Sequence, residues 1–270
     1  MIPELSLILP AYNGSRYIEA SLREVLRTVD RANLPFEVIV VCDGSTDGTA
    51  ECARAVDDER VRVLAYADNA GKGGAICHGI AAAEGRLVGW LDADLDVAPE
   101  AILHAVRIFE QEAVDAVIGS KRAPGADVDY PWVRRLYSAG FQILVRVLFR
   151  INVRDTQVGA KLFRREALDT VAPLLLIKRY AFDLEVLAVA AEFGFDRVRE
   201  IPIRLNYRFS GTGINVEAIK RMFVDTLAIA YRIHIRHWYV RRFAALQRQR
   251  TDETLGIRLA HEPAQEPLGV

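Results

Sequence analysis

The 270-residue sequence predicts an α/β fold, a mostly parallel sheet flanked by helices. Two observations predict it. Short apolar runs alternate with stretches of helical periodicity from residue 5 to residue 91, the order from which crossover helices build parallel sheets. Polar clusters containing Asn13, Asp43, Asp47, Lys72 and Asp92 each follow one of those runs, at the carboxyl ends of strands, where open α/β sheets bind ligands.

Leu5 to Leu9 is an apolar strand closed by Pro10-Ala11-Tyr12-Asn13-Gly14. Ile18, Leu22, Val25, Leu26 and Val29 then recur at helical spacing, predicting a helix over 15–32. Phe36 to Cys42 is β-branched and strand-like, and Asp43-Gly44-Ser45-Thr46-Asp47-Gly48-Thr49 leads into a helix that turns Ala50, Ala53 and Val56 inward. Val61 to Tyr66 is the third strand. The Gly71-Lys72-Gly73 turn after it is not a Walker A loop, because Tyr66 and Gly73 stand where Gly and Ser or Thr are needed. It reads either as a glycine turn with an exposed lysine or as an anion site at a helix start. A helix over 75–83 leads to a strand over 86–91, a helix over 99–112 and a strand over 116–120 that closes on Lys121-Arg122.

The loop from Ala123 to Tyr130 shows no periodicity and reads as mobile. Trp132 to Phe149 is a basic amphipathic helix, with Arg134, Arg135 and Arg146 among Leu136, Phe141, Ile143, Leu144 and Val147. It either lies on a membrane surface or packs on the core with its arginines snorkelling. Asp155 to Phe163 is a dense polar-apolar passage before a helix over 165–171. Asp183 and Glu185 open the next helix, as first-turn acids favoured by the helix dipole or as functional carboxylates. A last strand spans 201–207. A long helix over 216–242 sets Ile219, Met222, Phe223, Leu227 and Ile233 against Arg221, Arg232 and Arg236, and 251–270 reads as a disordered tail.

The chemistry concentrates in Leu91-Asp92-Ala93-Asp94-Leu95-Asp96. In extended backbone, residues two apart point the same way, so these carboxylates converge and call for a divalent cation shared with substrate phosphates. An EF-hand is excluded, because Val97 stands where the loop needs Gly and Leu103 where it needs Glu. Asp96 is expected in an outer-shell or capping place before Pro99.

Net charge is −1, with 51% hydrophobic and 26% charged residues, ordinary for a globular protein. Basic residues crowd 134–165 and 220–250, which points to an anionic partner. Neither an aromatic RNA-binding signature nor zinc-finger spacing accompanies them, so no nucleic-acid partner is expected. Cys42, Cys52 and Cys77 lack C-x-x-C spacing and read as reduced thiols, consistent with a cytoplasmic location. No basic leader precedes the first strand, and no apolar window reaches membrane-spanning length.

These motifs resemble family 2 glycosyltransferases of the GT-A fold, in particular the synthases of polyprenyl- and dolichyl-phosphate glucose and mannose. The matching blocks are Pro10 to Asn13, Asp43 to Thr49, Asn69-x-Gly71-Lys72-Gly73, Asp92-Ala93-Asp94, Ile118 to Arg122, Asp155-Thr156-Gln157-x-Gly159-x-Lys161-Leu162-Phe163 and Phe182-Asp183-x-Glu185. The resemblance implies a catalytic domain over 1–215, with an acceptor- or membrane-facing insertion over 130–165, and a C-terminal amphipathic helix over 216–250. It implies a nucleotide-sugar site formed by Pro10, Ala11, Tyr12, Asn13, Asp43, Asp47, Lys72, Asp92, Ala93 and Gln157. Asp92 and Asp94 would hold Mg²⁺ or Mn²⁺, and Arg122, Arg134, Arg135, Ser138 and Arg208 would grip an acceptor phosphate. Asp94, Asp183 and Glu185 would be catalytic. The implied reaction is an inverting transfer of a hexose from UDP-glucose or another UDP- or GDP-hexose to polyprenyl phosphate, by a protein peripheral on the inner face of the membrane. The competing readings are a soluble saccharide acceptor, with Asp183 or Glu185 as general base, and a non-catalytic binder of nucleotide sugars or lipid phosphates.

Overall fold

The computed structural model describes residues 2–125, 132–179, 181–205 and 216–261; side chains are not described at 132–139, 216, 218–219 and 252–261. In chain order the strands are β1 (Leu5–Ala11), β2 (Phe36–Asp43), β3 (Val61–Tyr66), β4 (Leu87–Trp90), β5 (Ala116–Ser120), β6 (Lys161–Arg164) and β7 (Val198–Pro202). The helices are α1 (Ile18–Val29), α2 (Thr49–Arg54), α3 (Lys72–Ala82), α4 (Glu100–Gln111), α5 (Trp132–Phe149), α6 (Arg165–Val171), α7 (Phe182–Glu192), α8 (Val216–Ala230) and α9 (Trp238–His261).

The sheet runs β3-β2-β1-β4-β6-β5-β7. β1 pairs in parallel with β2 and β4, β2 with β3, and β5 with β7. β6 is antiparallel to both β4 and β5. Because β6 is reversed, its leading loop, 155–160, arrives at the edge where the parallel strands end. That accounts for the polar-apolar passage: it is a ligand-edge loop followed by a four-residue strand.

Alternation in the strands feeds two cores. Leu5, Leu7, Leu9, Val38 and Val40 pack with α1 and α4 through Leu22, Val25, Ile102 and Val106. Ile8, Ile39, Val41, Val88 and Trp90 face the other way, against α3 and α7 through Ile76, Ile80, Leu184 and Val186. A sheet covered on both faces needs strands without a wet side, and every residue of β2 is buried. Each such Val, Leu or Ile contributes about 1.5–3 kcal/mol.

Several boundaries differ from expectation: the last strand, expected over 201–207, is β7 at Val198–Pro202, and the helix expected over 75–83 is α3 at Lys72–Ala82. The helix expected over 15–32 is α1 followed by a 3₁₀ turn at 30–32. The single helix expected over 216–242 is broken: α8 passes into a π turn, Tyr231–Ile235, and α9 starts after His237, whose φ is 46°. Helix also continues to His261, through the start of the region read as a disordered tail, since no proline interrupts the chain before Pro263. The remainder of that tail, the rest of the 123–130 loop beyond Gly125, and Arg208 lie outside the described residues.

Candidate active site

The loop after β1 is tied to the loop after β2. Asn13, in left-handed conformation, accepts the Thr46 N–H at 2.9 Å and donates its own backbone N–H to Ser45 Oγ at 3.1 Å. Asp47 accepts the Ser15 N–H at 3.0 Å and the Thr49 N–H at 3.1 Å, and also receives the Thr49 hydroxyl. The Thr49 hydroxyl is the main cause that holds Asp47 down at about 2. Asp47 thus fastens the loops that present Tyr12 and Asn13. Asp43, buried at the end of β2, accepts the Ala70 N–H at 2.6 Å, joining the β2 and β3 loops.

Asp92, Asp94 and Asp96 follow β4, and alternate positions 93, 95 and 97 are buried apolar residues. The stretch is not extended as expected: 93–94 form a turn closed by the Leu95 N–H on the Asp92 carbonyl at 3.0 Å, and Leu95 has φ 54°, so the acids gather around a turn. Lys72, the first residue of α3, reaches Asp92 Oδ1 at 2.5 Å. Burial pulls the Lys72 ammonium down, but Asp92, Asp183 and Asp94 outweigh it and hold the side chain charged above the usual lysine range. Gly159, in the loop before β6, lies flat against the Asp92 carboxylate: a Cβ there would come within 1.8 Å of Oδ2.

Burial raises Asp94 above the usual carboxylate range, and the charges of Asp92 and Asp96 add to it, against the Asp96 N–H and Lys72. Asp96 is likewise raised, by burial and then by Asp92. Its Oδ1 is buried without a hydrogen-bond partner, and α4 starts without a side-chain cap, so Asp96 is not the capping acid expected from its place before Pro99. Among the described residues no three His, Cys, Asp or Glu form a complete metal cage. Crowded carboxylates with an orphaned oxygen nonetheless fit a cation that takes its remaining ligands from phosphate and water, as Mg²⁺ does.

Asp183 and Glu185 separate. They lie two apart at the start of α7, where about 100° per residue puts them on opposite faces. Asp183 turns to the sheet, accepts Lys161 Nζ at 2.6 Å and the Trp90 indole N–H at 3.3 Å, and is buried. Burial would raise it, but Lys161 and then Lys72 keep it below the usual range. Glu185 is fully buried on the other side, where Leu176 N–H, Ile177 N–H and the Tyr239 hydroxyl occupy its oxygens. In this structure Asp183 is held in a buried ion pair with Lys161, and the oxygens of Glu185 accept three hydrogen bonds, so both carboxylates are engaged.

Gln157 is half-buried in the 155–160 loop, which Asp155 organises by accepting the N–H groups of Lys121 at 3.3 Å and Gln157 at 3.1 Å. Arg122 sits at the end of β5 with its N–H on Ser120 Oγ at 3.2 Å. Arg134, Arg135 and Ser138 fall on α5, with side chains outside the described set, as is all of Arg208. The sequence assigned no role to Tyr17, nor to Gly159 and Lys161, which stood only as members of a matching block. Burial raises the Tyr17 phenol, and the charges of Asp94, Asp47 and Asp92 add to it. Helical periodicity put it at a helix start and gave no sign of this.

The model of glycosyl transferase family 2 matches residues 6–172. The chain belongs to that family. The glycosyltransferase AglD of Haloferax volcanii is 36% identical over 205 residues, covering 74% of this chain and 32% of that protein. A dolichyl-phosphate β-glucosyltransferase of Dictyostelium discoideum is 32% identical over 69% of this chain and 62% of its own length. The dolichyl-phosphate β-glucosyltransferase ALG5C of Trichomonas vaginalis is 30% identical over 87% of this chain and 73% of its length. The chain thus spans about a third of AglD and less than two thirds of the Dictyostelium enzyme. Among solved structures, glucosyl-3-phosphoglycerate synthase of Mycobacterium tuberculosis, in complex with Mn²⁺, UDP and phosphoglyceric acid, matches with TM-score 0.64 at 22% identity over 85% of this chain and 78% of that one. Mannosyl-3-phosphoglycerate synthase of Rubrobacter xylanophilus matches with TM-score 0.64 at 20% identity, covering 99% of this chain and 79% of that one. The fold of this chain is GT-A.

Proposed function

We propose that this enzyme transfers a hexose, with UDP-glucose as donor, to polyprenyl phosphate in one inverting displacement. A phosphate oxygen of the acceptor forms the new bond to the anomeric carbon as the bond to the donor diphosphate breaks, and UDP leaves with the electron pair. The observation that carries this reading is the engagement of the two acids that a hydroxyl acceptor would need as base. Asp183 is paired to Lys161 and Glu185 is sealed by three hydrogen bonds. An acceptor that brings its own anionic oxygen needs no base. The relatives named as dolichyl-phosphate glucosyltransferases support the same acceptor class.

Asp43 and the Pro10, Ala11, Tyr12 and Asn13 loop take the base and ribose. Lys72, with Ala93 and Gln157 alongside, faces the diphosphate, where its charge opposes that of the leaving group. Mg²⁺ or Mn²⁺ on Asp94, with Asp96 and Asp92 beside it, would supply further offset of that charge. Arg122, Arg134, Arg135, Ser138 and Arg208 grip the acceptor phosphate, for which guanidinium forks are suited.

The test is release of nucleoside diphosphate from a panel of UDP- and GDP-hexoses with Mg²⁺ or Mn²⁺ and a short polyprenyl phosphate. Release is expected to require the lipid phosphate; release that ignores it and rises with a saccharide overturns the reading. Asp94→Asn should lower turnover about 100-fold or more, the scale of losing one stabiliser of developing charge. Full activity in that variant refutes the metal assignment.

The chain is further proposed to work from the inner membrane face, as a peripheral protein. Among the described residues no helix is long and apolar enough to cross a bilayer. Yet α5 exposes Ile143 and Val147, at 66% and 72%, and α8 with its π turn exposes Phe223, Val224, Leu227, Tyr231 and Ile235. The spacing 223, 227, 231, 235 drifts around an α-helix, and the wider π turn takes back part of the drift, keeping one stripe. Arg146, Arg150 and Arg236 stand exposed on the same segments, a charge complement to anionic headgroups. Val147→Glu with Leu227→Glu should cut co-sedimentation with phosphatidylglycerol vesicles about tenfold while UDP binding persists. Unchanged sedimentation would remove this surface from the proposal.

A further inference from the structure

Glu185, which the displacement does not use, is bonded into a chain of contacts that ends at Lys72. Its Oε2 accepts the N–H of Leu176 at 3.0 Å and of Ile177 at 2.7 Å. The next residue in that turn, Lys178, accepts the Gly73 N–H at 2.9 Å through its carbonyl oxygen. Gly73 follows Lys72 in the first turn of α3, and Lys72 meets Asp92. The fit is tight, since Gly71 holds φ +83° and a Cβ on it would meet the Lys178 oxygen at 2.6 Å. On its other side Glu185 Oε1 accepts the Tyr239 hydroxyl of α9 at 2.6 Å, with Arg232 Nη1 at 3.8 Å. The 176–178 turn is therefore clamped between a buried carboxylate and the start of α3.

We propose that Glu185 is a positioning residue for Lys72: it presses the 176–178 turn onto the first turn of α3 and so sets where the Lys72 ammonium stands. The consequence for the reaction rests on the reading of Lys72 as a donor-diphosphate group. Hydrogen exchange and UDP binding in the presence of Mn²⁺, both on the full chain, test the two parts separately.

Glu185→Ala is expected to speed exchange at Leu176, Ile177 and also Gly73 about tenfold or more, as their hydrogen bonds loosen. UDP affinity should fall about tenfold in the same variant. In a Lys72→Met background the Glu185→Ala change should cost no further UDP affinity, because an effect that passes through Lys72 has nothing left to act on. Glu185→Gln keeps an oxygen for the two N–H groups and an amide for Tyr239, so it should restore exchange and affinity to within about twofold of the parent; it also serves where the alanine variant fails to fold. Tyr239→Phe spares both Oε2 bonds and should loosen Gly73 less than Glu185→Ala does.

Unchanged Gly73 exchange in Glu185→Ala overturns the proposal, as does an additive loss in the Lys72→Met background. Equal loosening by Tyr239→Phe overturns it too, because that would mark general loosening of α9 and not a local clamp. If the parent protein itself fails to bind UDP, the donor-site reading falls, and the Gly73 exchange result still decides whether Glu185 holds α3.

Discussion

Gly159→Ala is expected to cut sugar transfer about 100-fold in a protein that remains folded. The added Cβ would fall 1.8 Å from Asp92 Oδ2 and 2.4 Å from its Cγ, far inside contact distance. The backbone has little room to retreat, because Gly119 donates its N–H to the neighbouring Ala160 carbonyl at 2.8 Å and β6 follows at once, paired on both sides. Asp92 must then swing away, leaving Lys72 without its partner and the neighbouring Asp94 and Asp96 rearranged. Misplacement of a reacting group by about 1 Å costs roughly 100-fold. We therefore expect kcat/KM to drop by about that factor, with an unchanged circular dichroism spectrum. Activity within about threefold of the parent would show that Asp92 has a second workable rotamer, and would refute the close-approach argument.

Lys161→Met should produce the largest loss of stability. Lys161 is 1% exposed and forms the buried pair with Asp183 that also engages Trp90. Removing one member leaves a carboxylate in an apolar surrounding, at a cost of about 3–5 kcal/mol. That is a large share of the stability of an ordinary domain. The double change Lys161→Met with Asp183→Leu removes the stranded charge and should recover most of the loss. The pH dependence has a definite sign. In the parent, Asp183 sits below its ordinary range, so its contribution is present above that range and is lost as pH falls through the window beneath it. Without Lys161 the carboxyl takes up a proton more readily when folded, so the deficit should be greatest at neutral pH and shrink on acidification. Urea titrations at neutral and acid pH measure it; a deficit constant with pH would mean that packing, not charge, carries the effect.

Much of the frame was legible in the residues. Periodicity located β1 to β5 and α1 to α4 because strands buried on both faces are continuous apolar runs, and because turn residues mark their ends. The same logic put Asp43, Lys72 and Asp92 on one edge. It was blind to β6, whose four residues include Lys161 and Arg164 and so do not read as a central strand. Lys161 holds that place through the Val158 carbonyl and through Asp183, whose carboxylate lies 22 residues away in the chain and is invisible to any local window. Asp183 and Glu185 were grouped because they share a motif, whereas helical geometry parts them. Nearness to Pro99 suggests an outer or capping place for Asp96, and only the packed structure shows its oxygen unpartnered. The break at His237 could not be foreseen from a face that stays amphipathic across it.

The reversed strand also governs the order in which the protein can be made. β4 and β5 are consecutive in the chain but not neighbours in the sheet, because β6 must lie between them. While a ribosome has delivered only the first 160 residues, β4 has β1 on one side and an open edge on the other, and the glycine that backs Asp92 has no fixed seat. Such an edge invites pairing with another chain. The edge that carries Asp92 thus closes late in synthesis, when Lys161 to Arg164 slots in and joins the two halves of the sheet.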